Sequence, residues 1–474
     1  MMQLNKKLSS SIYVFALSLV ASHSYAKAGV NVYVDNNCDK TQYIESQIDG
    51  AEKSMTEFKA HQHKFLEYID TGYLSYDTHI KYSVYQDKAK QIGSGAVDIA
   101  LHNAWSHNEY EATTPPGEGR IAIDIPKRSW HNWIGTPNIT LQLCPKKGFE
   151  ISKNALFDGV KRVVVFGDSL SDEGNLFHLT QGAVPSARNY YNGMFSNGNT
   201  WSAILRTQLS AHGIQMSNYA VGGSTALSYA DTEHLPYSLT YQTYMYHANA
   251  LKENWQDTDS TLAIIWIGGN DYLTQSGKLD EKSQQQLSTD VVATIEAAID
   301  DLISAGINKF LIINLPDLSR VPSSKIINKN ANVTQALTEQ HNQKLQQMIN
   351  AFVEKYPEDY TFKSINVGAL FQKFMDKSQR EMLNDQYHTE IDNISRPCYQ
   401  GGYSWIDPDI TKALYSAYSE QVLPGLISLK NMIYNSYQYF NVCSNPENYL
   451  FYDYVHPTAQ MHKVIYDQIV KNVS

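Results

Sequence analysis

The spacing of apolar residues changes character once along the chain. Before about Glu150 they alternate with polar residues or form short runs between turn formers. From Lys161 onward, short β-branched runs take turns with long stretches of helical period. Val30-Asn-Val-Tyr-Val34, Ile121–Ile125 and Ile139–Leu143 predict strands. Glu45 to Tyr68 stands apart: Ile48, Met55, Phe58, Phe65 and Leu66 fall at rough helical spacing and predict a helix or helix-like excursion. In the second part, strands are expected at Arg162–Phe166, Ala263–Ile267 and Lys309–Leu315, the last ending at Pro316. Helices are expected from about Gln284 to Ala305, with Gly306 as the stop, and from about Asn332 to Lys355. Strands alternating with helices require a parallel sheet covered on both faces. The expected fold class is α/β, a three-layer α/β/α sandwich with right-handed crossovers, preceded by a small β-rich domain.

A chain of 474 residues is too long for one average domain. The expected organisation is a leader over 1–26, a β-rich accessory domain over 27–150 and an α/β domain over 151–474, joined near Pro145 to Asn154. The leader has Lys6 and Lys7, an apolar run from Ile12 to Val20, and Ser24-Tyr25-Ala26. That is the pattern of a secretory signal cleaved after about Ala26. Its apolar run is shorter than the ~20 residues that span a bilayer. The mature protein is therefore expected outside the cytoplasm, extracellular or periplasmic.

Export gives the four cysteines a structural reading, because disulfides persist in oxidising compartments. Of three pairings, Cys38–Cys144 with Cys398–Cys443 is expected, since each bond then stays within one domain. No Cys-x-x-Cys or His-Glu-x-x-His spacing occurs, so neither metal nor cofactor is expected. A formal charge of −10 argues against a nucleic-acid partner and against electrostatic attraction to anionic lipid. The 33 tyrosines and seven tryptophans suit either internal packing or peripheral, transient contact with a membrane surface.

The candidate chemistry lies in four blocks. The strand Arg162–Phe166 runs into Gly167-Asp168-Ser169-Leu170, which would stand Ser169 with its hydroxyl exposed in the crevice beyond a parallel strand. Asn218-Tyr-Ala-Val-Gly-Gly-Ser224 and Ala263-Ile-Ile-Trp-Ile-Gly-Gly-Asn-Asp271 are strand ends opening into glycines. There, the main-chain N–H groups of Ser169 and Gly223 and the Asn270 amide can point at a developing oxyanion. Near the carboxyl end, Tyr452-Asp-Tyr-Val-His-Pro-Thr458 brings Asp453 and His456 within reach of each other. The carboxylate would orient the imidazole that takes the Ser169 proton. Asp168 and Asp271 are read as turn and loop hydrogen-bonding residues, and His462 as a surface histidine on the final helix.

With Ser169, Gly223, Asn270 and His456 in these blocks, the chain resembles the GDSL, or SGNH, hydrolases. The likeness runs on through Ser171-Asp172-Glu173-Gly174-Asn175 and Phe195-Ser-Asn-Gly198 with Trp201, from about Lys161 to the end. It implies the SGNH fold and an acyl-serine intermediate. The layout further resembles secreted bacterial phospholipases related to thermolabile hemolysin and glycerophospholipid:cholesterol acyltransferase. That implies phospholipid or lysophospholipid substrates and a sterol as a second acceptor. A carbohydrate acetyl esterase with a sugar-binding amino-terminal domain is the alternative; a serine peptidase and a non-catalytic adhesin or pore former are more distant ones. The segment between Cys398 and Cys443, apolar-periodic from Ile410 to Tyr434, reads as a lid or acyl groove, or equally as a surface helix.

Overall fold

The computed structural model describes residues 29–36, 38, 40–49, 52–60, 63–70, 76–90, 93–104, 107–113, 121–124, 138–143, 155–180, 184–186, 189–229, 237–255, 258–275, 279–325, 331–403 and 441–471. The expected leader, the junction Pro145–Asn154, Cys144 and the run Ile410–Tyr434 lie outside them.

The amino-terminal part consists of strands β1 (Gly29–Asn36), β2 (Gln42–Ile48), β3 (Ser54–Phe58), β4 (His63–Asp70), β5 (Tyr76–Tyr85), β6 (Gly93–Ala104), β7 (His107–Thr113), β8 (Ile121–Asp124) and β9 (Asn138–Leu143). They form a four-stranded sheet, β4-β1-β9-β8, and a five-stranded sheet, β3-β2-β5-β6-β7. Val32, Val34, Ile69 and Leu141 of the first pack with Ile44, Phe58, Ile80 and Val84 of the second in one buried cluster, so the two sheets face each other.

The helix expected from Glu45 to Tyr68 is not formed; that stretch is β2, β3 and β4. Buried polar residues obscured the alternation. Glu45 sits on β2 at low exposure, paired with Lys53 at 2.8 Å and also with Lys90, and Ser46 bonds Ser54 across the hairpin at 2.6 Å. Asp49 turns the chain at φ +45°, which ends the strand before the next apolar residue.

The second part holds β10 (Arg162–Gly167), β11 (Gln215–Asn218), β12 (Thr261–Trp266), β13 (Lys309–Ile313) and β14 (Thr361–Ile365). All neighbouring pairs are parallel, in the order β11-β10-β12-β13-β14. Val163, Val164, Val165 and Phe166 are successive residues that point to opposite faces, and all are fully buried. Both faces are therefore covered, as a three-layer sandwich requires. Full burial of such a side chain stabilises by roughly 1.5–3 kcal/mol.

Among the described residues, the helices are α1 (Asn175–Leu179), α2 (Trp201–Ala211), α3 (Leu239–Lys252), α4 (Gly269–Gln275), α5 (Glu281–Ser304), α6 (Ala331–Lys355), α7 (Val367–Met375), α8 (Lys377–Tyr387) and α9 (Ala459–Lys471). Helices α3, α5 and α6 pack in succession, and α2 packs on α9. Helix α5 begins on Asp280, whose carboxylate accepts the Ser283 N–H, and ends just before Gly306. The chain reverses direction across the sheet at β10, with β11 on one side and β12 on the other. Such a switch point opens a crevice at the carboxyl ends of these strands, where α/β proteins bind ligands. Ser169 follows β10 and Asn270 follows β12.

Candidate active site

Ser169 and two residues near the carboxyl end, Asp453 and His456, form a continuous hydrogen-bonded relay. Ser169 Oγ lies 2.7 Å from His456 Nε2, and His456 Nδ1 lies 2.7 Å from Asp453 Oδ2. The other carboxylate oxygen, Asp453 Oδ1, accepts the Val455 N–H at 2.8 Å and the His456 N–H at 2.7 Å. A separation of three residues suffices because the turn folds the His456 backbone onto the carboxylate it addresses. Burial alone would raise the Asp453 carboxyl, but the adjacent imidazole and these hydrogen bonds outweigh it and hold it below the ordinary carboxylate range. The relay can carry a proton from the serine hydroxyl to the imidazole while the aspartate remains ionised.

Ser169 was expected with its hydroxyl exposed, yet the residue is 7% exposed. The His456 imidazole covers the hydroxyl. Phe195 lies 4.9 Å from that ring and Tyr403 5.6 Å, so aromatic groups replace water around the relay.

The loop after β11 is clamped from three sides. Val221 to Ser224 form a turn closed by Ser224 N–H to Val221 O at 3.1 Å, with Gly223 at φ +79°, where a side chain would be strained. Asp172 Oδ2 accepts the Gly222 N–H at 2.7 Å, and Asn270 Nδ2 donates to Ser224 O at 2.8 Å. Asp271 accepts the N–H groups of Ala226 at 2.8 Å and Leu227 at 3.1 Å. Among the described residues, the backbone N–H groups of Ser169 and Gly223 make no hydrogen bond within the chain. Ser169 and Gly223 thus stand on loops that follow β10 and β11, and Asn270 in the first turn of α4, which follows the adjacent strand β12.

Three buried carboxylates support these loops. Asp168 accepts the Leu170 N–H at 3.0 Å, and burial, added to by the charges of Asp271 and Asp172, pushes its carboxyl up to about 7. Asp172 and Asp271 are raised to about 6, again by burial first. The loop role expected for Asp168 and Asp271 matches these bonds. Asp172 was not singled out by sequence reasoning; its N–H partners Gly174 (2.7 Å), Asn175 (2.5 Å) and Leu176 (3.1 Å) make it a local turn, a signal that an Asp two residues before Gly-Asn carries.

The surface position expected for His462 is corrected. On α9 it is fully buried, because that helix packs on α2, and its Nδ1 accepts the Trp201 N–H at 3.3 Å. Burial, with His456 nearby, pushes its imidazole down to about 3, so it stays neutral.

Behind Asp453 lies a cluster of tyrosines that sequence reasoning also missed. Tyr190 donates its hydroxyl to Asp453 Oδ2 at 2.8 Å. Its ring meets Tyr399 and Tyr452 edge-on, each at 5.5 Å. The Tyr452 hydroxyl donates to Asn189 O, and Tyr33 of β1 meets Tyr191 edge-on at 5.3 Å, which brings the amino-terminal sheets to the same region. Cys398 and Cys443 are bonded, with Cα atoms 4.9 Å apart, at the base of a short antiparallel pair, Tyr399–Gln400 with Asn441–Val442. Tyr399 N–H donates to Tyr452 O at 2.6 Å, so this base is attached to the segment that carries Asp453. Cys38 is also disulfide-bonded, its expected partner Cys144 lying outside the described residues.

Among the described residues, no group of three or more His, Cys, Asp or Glu is arranged to hold a metal, and no helix is long and apolar enough to cross a membrane. A phosphatidylcholine-sterol acyltransferase of Aeromonas hydrophila is 27% identical over 312 residues, 64% of this chain and 87% of that protein. A secreted effector protein of Salmonella typhimurium is 32% identical over 212 residues, 44% of this chain and 47% of the effector. A thermolabile hemolysin of Vibrio parahaemolyticus is 25% identical over 326 residues, 66% of this chain and 64% of the hemolysin. The chain thus spans less than two thirds of the effector and of the hemolysin. The family model described as GDSL-like Lipase/Acylhydrolase matches residues 163–469, which include the whole relay and both glycine-rich loops. The resemblance carried by the four sequence blocks therefore holds, and the chain belongs to the GDSL-like Lipase/Acylhydrolase family.

Proposed function

We propose that this acylhydrolase is an exported phospholipase or lysophospholipase that works through an acyl-Ser169 intermediate. Ser169 Oγ attacks the ester carbonyl carbon as His456 Nε2 takes the hydroxyl proton. The carbonyl oxygen becomes an oxyanion, received by the Ser169 and Gly223 N–H groups and the Asn270 side chain. The tetrahedral centre collapses, the C–O bond to the glycerol backbone breaks, and His456 returns the proton to the leaving alcohol. Water, activated by the same imidazole, then cleaves the acyl-serine to fatty acid. A sterol hydroxyl in place of water would yield a sterol ester. Asp453 orients the imidazole and stabilises its charged form throughout.

The observation that carries this reading is the Ser169–His456–Asp453 relay, at 2.7 Å for each link; Ser169, Gly223 and Asn270, the proposed oxyanion donors, follow the neighbouring strands β10, β11 and β12. Lipid esters are favoured because two of the relatives are named as a phosphatidylcholine-sterol acyltransferase and a hemolysin. Export is supported by the leader pattern and by the Cys398–Cys443 bond, which suits an oxidising compartment.

The test is mass spectrometry of lipid products after incubating the chain from Lys27 with phosphatidylcholine and lysophosphatidylcholine liposomes, with and without cholesterol. Wild type is expected to release fatty acid, and Ser169→Ala at least about a thousandfold less. Cholesteryl ester in addition would assign the sterol acceptor. No product from either lipid, with acetate released from acetylated polysaccharide, would replace this reading by the carbohydrate esterase.

A further inference from the structure

We propose that Tyr190 is a positioning residue for this reaction: its hydroxyl pins the Asp453 carboxylate on the oxygen that also holds His456 Nδ1, and so sets the orientation and proton affinity of the imidazole. The inference rests on the relay acting as described above.

The geometry leaves Tyr190 one task. Asp453 Oδ1 is occupied by the Val455 and His456 N–H groups, while Oδ2 takes one hydrogen bond from His456 Nδ1 at 2.7 Å and one from Tyr190 at 2.8 Å. Both Asp453 and Tyr190 are about 1% exposed, so no water is available to replace the hydroxyl as a donor. The ring cannot swing away. Tyr399 and Tyr452 hold it edge-on, Phe195 lies 6.0 Å away, and its own N–H is bonded to Ser186 O at 3.0 Å. Burial, reinforced by the Asp453 charge and by Tyr403, Tyr399 and Tyr452, pushes the Tyr190 hydroxyl well above its usual range and keeps it a donor.

A hydroxyl that only filled space would affect packing alone. One that shares Asp453 Oδ2 with the imidazole also drains negative charge from it. Without Tyr190, the carboxylate would hold the imidazolium more strongly. The other titratable groups facing this pair are Asp168 from the nucleophile loop, His462 from α9, Tyr399 and Tyr403 beside the disulfide, and Tyr452 and Tyr454 of the Asp453 segment. Tyr33 of β1 faces Tyr452. All are retained in Tyr190→Phe, so that variant removes a single hydroxyl.

The experiment is the pH profile of kcat/KM on p-nitrophenyl butyrate for wild type, Tyr190→Phe and the control Tyr399→Phe, whose hydroxyl bonds Gly402 O and Asn189 rather than Asp453. For Tyr190→Phe, kcat is expected to fall about tenfold with KM little changed, and the acid limb to move up by about half a pH unit to one unit. The limb of Tyr399→Phe should stay in place. Site-specific 3-fluorotyrosine at position 190, a stronger donor on the same ring, should move the limb the opposite way, and it serves if the phenylalanine variant misfolds. A limb indifferent to both replacements, or moved equally by the control, overturns the inference while leaving Ser169-dependent hydrolysis intact. Absence of any Ser169-dependent ester cleavage in wild type overturns the reading of the site itself, and this inference with it.

Discussion

Asn270 donates its side-chain amide to the Ser224 carbonyl at 2.8 Å, so a residue proposed to receive the oxyanion also fixes the turn that presents the second donor, Gly223. The two donors are mechanically one unit. On its proposed oxyanion role, Asn270→Ala is expected to lower kcat by about 100- to 1000-fold, with a smaller change in KM. Steady-state kinetics on a soluble acyl ester checks this. A loss below about tenfold would remove Asn270 from the oxyanion site.

The turn also depends on what it lacks. A Cβ at Gly222 would come within 2.2 Å of Phe195 Cε2 and 2.6 Å of its Cζ, and Phe195 in turn lies 4.9 Å from the His456 ring. Gly222→Ala is expected to destabilise the fold by about 1–3 kcal/mol through overpacking and to depress activity by displacing that ring. Adding Phe195→Leu should restore part of the stability. Urea midpoints of the single and double variants decide it, and additive losses would mean that the clash is not the cause.

Burial of carboxylates beside the nucleophile carries a pH signature. Asp168 is pushed up to about 7 in the folded chain, above the ordinary value of 3.8 taken for the unfolded one. Between these values the folded state binds more protons. The stabilisation is therefore complete below about pH 4 and is lost as pH rises toward 7. Asp172 and Asp271 act in the same direction, and Asp453, which is lowered, acts in the opposite one at acid pH. Asp168→Asn keeps an oxygen for the Leu170 N–H but cannot ionise. Relative to wild type it should gain up to about 3 kcal/mol on going from pH 5 to pH 8. Unfolding free energies at those two pH values measure it; parallel pH slopes would show that Asp168 does not titrate as described.

The parallel sheet and the relay were legible because their signals are local. Strands buried on both faces appear as short apolar runs, and Ser169, Gly223, Asn270 and His456 each sit in a compact block at a strand or helix end. Long-range contacts were not legible in this way. Tyr190 touches Asp453 across 263 positions, and nothing near either residue announces the other. His462 looked solvent-facing because its burial comes from α2 rather than from its own helix. The strands from Glu45 to Tyr68 were hidden for the opposite reason: Glu45 and Ser46 satisfy buried polar groups across the sheet, which breaks the alternation by which strands are read.

The bond between Cys398 and Cys443 joins two positions 45 apart in sequence, with their Cα atoms 4.9 Å apart. Whatever lies between those cysteines enters and leaves through a single doorway beside Asp453. Its length and sequence can therefore diverge between relatives, or be exchanged for another cassette, without requiring either doorpost to move. A hydrolase built this way can change that stretch of sequence while keeping the same proton relay.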